Sequence, residues 1–238
     1  MHQIDICMTA ALRPEILERT LGSIKKNMQW GGGFQLVVDI APVGEKQYSQ
    51  AHIASICRKH FSKTHIRALT DSRQAEALMW TWGHAESPFI LQWEDDWELD
   101  APIDLEQMIN CMPIDMGILC FDRINKSVLN YPGYKGQVHP TDDNVFLRVN
   151  SKSLGGPPSV MRIEYVRQAL KIIDGTRCLD LMSHDADVMA LLKKWKIGIY
   201  VGADGRGNLV RDLGKDWKKQ NGVVMKKNTP RGVAWLKK

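Results

Sequence analysis

Residues 4–40 read IDICMTAALRPEILERTLGSIKKNMQWGGGFQLVVDI, and the fold class turns on how this stretch is divided. Its first segment, residues 4–10, is short, apolar and rich in branched side chains, as a buried strand requires. Pro14 follows Arg13 where a helix tolerates proline, because the first turn makes no use of the missing N–H. Leu17, Leu21, Ile24 and Met28 then recur at helical spacing, and Gly31-Gly32-Gly33 stops the helix. FQLVVDI at 34–40 returns as a second strand.

The pattern continues outward. Helical sequence runs from Gln50 to His60, HIRAL at 65–69 reads as a strand, Gln74 to His84 as a helix and FILQW at 89–93 as a strand. Further on come strands GILCF at 117–121 and VFLRV at 145–149, a Gly-Gly-Pro-Pro turn at 155–158, a helix from Ile163 to Ile173, a helix opening at Ser183 and a strand IGIYV at 197–201. Alternation of this kind marks an α/β protein whose central strands are parallel and covered on both faces. The expectation is a doubly wound, mostly parallel sheet in residues 1–201, with 202–238 as a basic arm or flap of the same domain.

Composition narrows the classes. The chain has 238 residues, 44% hydrophobic and 25% charged, which excludes wholesale disorder and fibrous architectures. No apolar run approaches the roughly 18–20 residues needed to span a bilayer. Asp5 interrupts the first apolar segment, so no secretory signal is read there and a cytoplasmic protein is expected. Five cysteines, Cys7, Cys57, Cys111, Cys120 and Cys178, are scattered without a C-x-x-C pair, so buried reduced thiols are expected rather than disulfides or a zinc ribbon.

Charge is unevenly distributed. From Lys193 onward thirteen Lys and Arg face only Asp204, Asp212 and Asp216, a net +10 that leaves −5 for the remainder. Such asymmetry points to an anionic partner, a phosphorylated small molecule or a nucleic acid, or else to a solvated basic tail. Trp195, Trp217 and Trp235 interleave with these cations, which favours stacking or clamping.

Three constellations carry chemistry. Glu94-Asp95-Asp96 follows the FILQW strand directly, at the carboxyl end of a strand where ligands of open α/β sheets bind. In an extended chain Glu94 and Asp96 would project to one side and Asp95 to the other. Hard carboxylate oxygens of this kind suit Mg²⁺ or Mn²⁺ completed by substrate phosphates and water; the alternative is an exposed acidic turn. Ser183-His184-Asp185-Ala186-Asp187 opens a helix in which Asp185 shares a face with Val188, Met189 and Leu192. Asp185 is therefore expected to look inward as a general base, or else to complement the helix dipole. Gly205-Arg206-Gly207-Asn208, with Arg211 and Lys215 beyond, matches neither a Walker A nor a G-x-G-x-x-G sequence, and reads as a basic flap over a diphosphate or as an ordinary turn.

In order and spacing these residues resemble the GT-A glycosyltransferases of the family-2 kind, over roughly residues 4–200. The resemblance rests on Thr9, the Arg13-Pro14-x-x-Leu17-x-x-Thr20-Leu21-x-Ser23-Ile24 helix start, Asp39 closing the second strand, Glu94-Asp95-Asp96 and Asp185. It implies that Thr9, Arg13 and Asp39 hold a nucleotide base and that Glu94 and Asp95 hold ribose and diphosphate. It implies Asp96 as the preferred ligand of Mn²⁺ or Mg²⁺, with Asp95 and Asp204 as further ligands, and Arg206, Arg211 and Lys215 on donor phosphates. Asp185 is the implied catalytic base, although His184 stands where the family's pair carries an acid. The Gly155–Ser159 loop resembles the turn that shapes the sugar pocket. The implied reaction is inverting transfer from a nucleoside diphosphate sugar, UDP-linked by expectation. Virus-encoded enzymes of this fold resemble the chain in ways that suggest a hydroxymethylated base in double-stranded DNA as acceptor, which would place it in host cytoplasm. The alternatives are a glycan, lipid-linked or protein acceptor, or a non-catalytic nucleic-acid-binding protein.

Overall fold

A computed structural model describes residues 2–71, 73–124, 126–141, 144–148, 154, 158–177, 182, 184–225 and 235–237. Strand β1 (Ile4–Leu12) leads into helix α1 (Pro14–Asn27), a short β2 (Met28–Gln29) and β3 (Phe34–Gly44). Then come α2 (Gln50–His60), β4 (Thr64–Ala68), α3 (Gln74–Gly83), β5 (Phe89–Glu94), β6 (Trp97–Leu99), β7 (Ile103–Asp104) and α4 (Leu105–Asn110). The second half comprises β8 (Met116–Phe121), β9 (Val138–Pro140), β10 (Val145–Arg148), β11 (Ser159–Arg162), α5 (Ile163–Ala169), α6 (Ala186–Lys194), β12 (Lys196–Tyr200), β13 (Val210–Asp212), α7 (Gly214–Gln220), β14 (Val223–Met225) and β15 (Trp235–Lys237).

Nine strands form the main sheet in the order β4-β3-β1-β5-β11-β8-β12-β10-β9. β4, β3, β1 and β5 are parallel neighbours, as are β8 and β12, while β11 runs antiparallel between β5 and β8. The expected doubly wound, mostly parallel sheet is therefore present. Period-two alternation divides the core. Ile6, Met8, Leu36, Val38, Leu91, Trp93 and Phe121 face α1, α2 and α4, whereas Cys7, Ile90, Ile118 and Cys120 face α3, α5 and α6. α1 buries Ile16, Leu17, Leu21 and Ile24, the stripe visible in the sequence, with Pro14 in its first turn. Ser49 caps α2 by accepting the His52 N–H at 3.2 Å.

Some boundaries differ from expectation. α5 stops at Ala169 rather than Ile173. α6 begins at Ala186 rather than Ser183, with Asp185 as its N-cap residue. The four residues of β11 are too few to show a period, so no strand was expected there. Residues 202–225, expected as a loose arm, are built into the body. β13 pairs antiparallel with β6, and Trp217 and Leu213 pack against Ile16 of α1. No described helix is long and apolar enough to cross a membrane.

Candidate active site at the carboxyl edge of the sheet

The parallel strands bring one row of polar residues together. Thr9 on β1 is in register with Asp39 on β3 and with Glu94 on β5, and Asp39 is in register with Arg67 on β4. In-register neighbours of a sheet project to the same face, here the α3 side. Thr9, Asp39 and Glu94, far apart in sequence, thus form a single line, which Arg67 extends. Arg67 was not expected from the sequence, where HIRAL is an ordinary strand. Its guanidinium pairs with the buried Asp39 carboxylate, donates to the Glu76 carboxylate at 3.3 Å and to the Glu76 carbonyl at 3.2 Å, and lies 5.2 Å from the Trp80 ring centroid. Asp39 is thereby fixed in place within β3, which continues past it to Gly44.

Glu94 remains on this face and Asp95 projects to the opposite one, as alternation requires, but Asp96 does not return to the side of Glu94. β5 ends at Glu94 and the chain turns at Asp95-Asp96, so both aspartates swing towards α1. Asp95 is 2% exposed; it accepts the Ala11 N–H at 3.0 Å and the Arg13 Nε–H at 3.2 Å, and its other oxygen pairs with a terminal Arg13 nitrogen. The opposite terminal nitrogen of Arg13 bonds Asp96 Oδ2 at 3.0 Å. Thr20 ties the turn down by donating to the Asp95 carbonyl at 2.7 Å. Above this clamp the Trp217 ring lies 5.5 Å from the guanidinium carbon, and Trp217 donates its indole N–H to Glu45 at 3.0 Å.

Of the expected donor-binding residues, Arg13 is engaged with both Asp95 and Asp96, and both Asp95 oxygens are in contact with Arg13 or Ala11. Asp96 is the partly open member: its side chain is 13% exposed, and its Oδ1 has no hydrogen-bond partner among the described residues. Gly214 permits this packing, since a Cβ there would sit 2.0 Å from Asp96 Oδ2.

The electrostatics follow from burial. Burial, then the neighbouring Asp96 charge, push the Glu94 carboxyl up to about 7. Burial likewise raises the Asp95 carboxyl, against the pull of Arg13. Burial pulls the Arg13 guanidinium down, but Asp95 and Asp96 outweigh it and hold Arg13 firmly charged.

The remaining expected residues lie in other settings. Asp185, at the N-terminus of α6, is 38% exposed and pairs with Arg177 at 2.6 and 3.2 Å, so it does not face inward as the helical stripe suggested. The reason is local: the helix begins one residue later, leaving Asp185 extended. Asp204 is 60% exposed and pairs with Arg206 at 3.5 Å, and no group of three His, Cys, Asp or Glu side chains among the described residues converges to hold a metal. Arg211 pairs with Asp100 at 2.6 Å and Lys215 with Asp212 at 3.2 Å, so their charges are partly neutralised in the described fold. Trp195 and Trp217 pack into the protein rather than offering open stacking faces. Residues 155–157 of the expected sugar-pocket turn, and Ser183 of the acidic helix start, lie outside the described residues.

Another buried carboxylate, Asp122, was missed because a lone Asp after an apolar run is a common strand end. It closes β8, accepting the Val128 N–H at 2.8 Å with one oxygen and the Asn208 N–H at 2.7 Å with the other. It thereby pins the Gly205–Asn208 turn to the sheet edge, where Gly205, Gly207 and Asn208 all adopt positive φ.

No protein-family model matches the sequence and no curated protein matches it. Solved structures do. The S. aureus TarS fragment 1–349 in complex with UDP superposes with a TM-score of 0.57 at 14% identity, over 89% of this chain and 60% of that one. The same fragment with UDP-GlcNAc gives 0.56 at 13%, over 89% and 58%. The mannosyltransferase PcManGT from Pyrobaculum calidifontis, with GDP-Man and Mn²⁺, gives 0.57 at 12%, over 87% and 56%. The chain thus spans somewhat under two thirds of the length of these structures. At such low identity the shared property is the fold alone, a GT-A-like mixed α/β architecture with a large, mostly parallel central sheet.

Proposed function

We propose that the chain is a glycosyltransferase that moves a sugar from a nucleoside diphosphate sugar to an acceptor hydroxyl, with Mn²⁺ or Mg²⁺ at the donor. The observation that carries the reading is the line Thr9, Asp39 and Glu94 along the carboxyl edge of three parallel strands, with Asp96 held beside it by Arg13. Similarity to structures that hold UDP, UDP-GlcNAc or GDP-Man with Mn²⁺ supports it.

Asp39, fixed by Arg67, is a suitable acceptor for a base N–H, and Thr9 and Glu94 offer hydroxyl and carboxyl groups to the ribose. Asp96 suits a divalent cation, because hard cations of this size commonly take one or two carboxylates and fill the rest of their shell from phosphate and water. When bound, such a cation supplies Lewis-acid stabilisation of the departing diphosphate. Asp95 acts through Arg13 as a positioning residue. Asp185 is the proposed base that takes the proton of the attacking hydroxyl as the bond from sugar to diphosphate breaks; its exposed pair with Arg177 must open for it to do so.

For the acceptor, the net +10 of residues 193–238 supports a polyanion, and double-stranded DNA carrying hydroxymethylated bases is the proposed class. The experiment is donor hydrolysis without acceptor, over a panel of UDP- and GDP-sugars with Mn²⁺, followed by mass spectrometry of treated DNA. Turnover lost on Asp96→Ala is expected. Absence of both hydrolysis and donor binding would overturn the enzymatic reading, and unmodified DNA with DNA binding insensitive to salt would overturn the acceptor.

A further inference from the structure

A cavity of about 410 Å³ opens on the α4 side of the sheet, lined by Asp104, Glu106, Asn110 and Cys111 from the α4 region and by Asn144 and Tyr200. That volume lies within the usual range for small-molecule sites. It does not belong to the Asp185 region. Tyr200 packs with Trp93, Leu105 and Met108 on one face of the sheet, whereas α6 packs its Val188 and Leu191 on the other.

Tyr200 is the informative residue. It ends β12, is only 2% exposed, and its hydroxyl has no hydrogen-bond partner among the described residues, although it borders the cavity. The ring is buried while its hydroxyl reaches the cavity, which sets it to donate to a molecule bound there. Burial, then Cys111 and Asp104, push this phenol up to about 12, so it stays a donor at neutral pH.

The rest of the lining defines the ligand's chemistry. Asp104 and Glu106 form no ion pair among the described residues, and Asp104 uses one oxygen to cap α4 by accepting the Gln107 N–H at 3.1 Å. Neither Lys nor Arg lines the cavity. Two uncompensated carboxylates repel a phosphate, while carboxylates, amides and a phenol together match alternating hydroxyl donors and acceptors. We propose that this cavity binds a small, unphosphorylated, hydroxyl-rich molecule of monosaccharide type, neutral or bearing an amine.

The test is calorimetric titration of the full chain with glucose, glucosamine and glucose 6-phosphate. Saturable binding of glucose or glucosamine is expected, with glucose 6-phosphate at least about 10-fold weaker. Tyr200→Phe should weaken the sugar by up to about 10-fold. Glu106→Lys, on the exposed rim, should abolish glucosamine binding without shifting the thermal melt. If Tyr200→Phe fails to fold, Glu106→Lys decides. Failure of glucose and glucosamine both to bind, binding of glucose 6-phosphate as tight as the unphosphorylated sugars, or unchanged binding in the folded variants would overturn the proposal.

Discussion

Arg13→Met isolates the clamp on which the candidate site depends. The native guanidinium is 3% exposed and serves two carboxylates, one of them only 2% exposed. Removing it leaves Asp95 buried beside Asp96 without a counter-charge, and breaking a buried pair in this way costs about 3–5 kcal/mol. The Ala11 N–H at 3.0 Å remains to Asp95, which argues for the lower half of that range. Urea unfolding at pH 7.5 reads the loss as a fall in midpoint at constant slope. Adding Asp95→Asn removes the orphaned charge, so the double variant should be no less stable than Arg13→Met, giving a coupling energy of about 2 kcal/mol or more. The pH dependence supplies a second check. Without Arg13 the folded-state value for Asp95, already raised by burial, rises further above its unfolded value of about 3.9, so the added penalty is full at neutral pH and vanishes below about pH 4. A single-variant cost under about 1 kcal/mol, or additivity within about 0.5 kcal/mol, would refute the clamp.

Three other outcomes are expected. Asp96→Ala and Asp185→Asn should each lower single-turnover transfer, the latter by about 10²–10⁴-fold, with the melting temperature nearly unchanged for Asp185 because its ion pair is exposed; full activity in purified Asp185→Asn would remove it as the base. Glu94, at about 7 in the fold against an ordinary 4.5, should make stability decline as pH rises from 4.5 to 7, by up to about 3 kcal/mol, and Glu94→Gln should flatten that decline in denaturation curves collected at pH 5 and pH 8. Gly207→Ala places a Cβ 2.4 Å from Asp122 Oδ2 at φ +70°, so a loss of about 2 kcal/mol or more is expected in thermal unfolding, and a neutral result would show that Asp122 does not pin the turn.

Much of the architecture was legible because buried parallel strands and amphipathic helices leave strong periodic traces. The α1 stripe, the α2 limits at Gln50 and His60, and the apolar runs of β1, β5 and β8 all appear in the chain within two residues of their observed bounds, while β3 runs four residues past the expected Ile40. β11 did not, because four residues beside a turn carry no period. The stretch after Gly202 was also opaque. Its order comes from pairing with β6 and from Trp217 packing near Arg13, partners more than a hundred residues away.

The site divides along the same line. Local chemistry named the three-carboxylate run, since acidic residues directly after a buried strand stand out against apolar neighbours, whereas Thr9 and Asp39 were named by the family resemblance. What each carboxylate can do was decided by long-range geometry. The turn after Glu94 sends Asp95 and Asp96 to Arg13, Arg67 arrives from β4 to hold Asp39, and the late start of α6 turns Asp185 outward. Residue type and spacing set which groups are ionisable and where strands end. Burial and the charges met across the fold set which of them stay open to a ligand, and those contacts exist only once distant segments have packed.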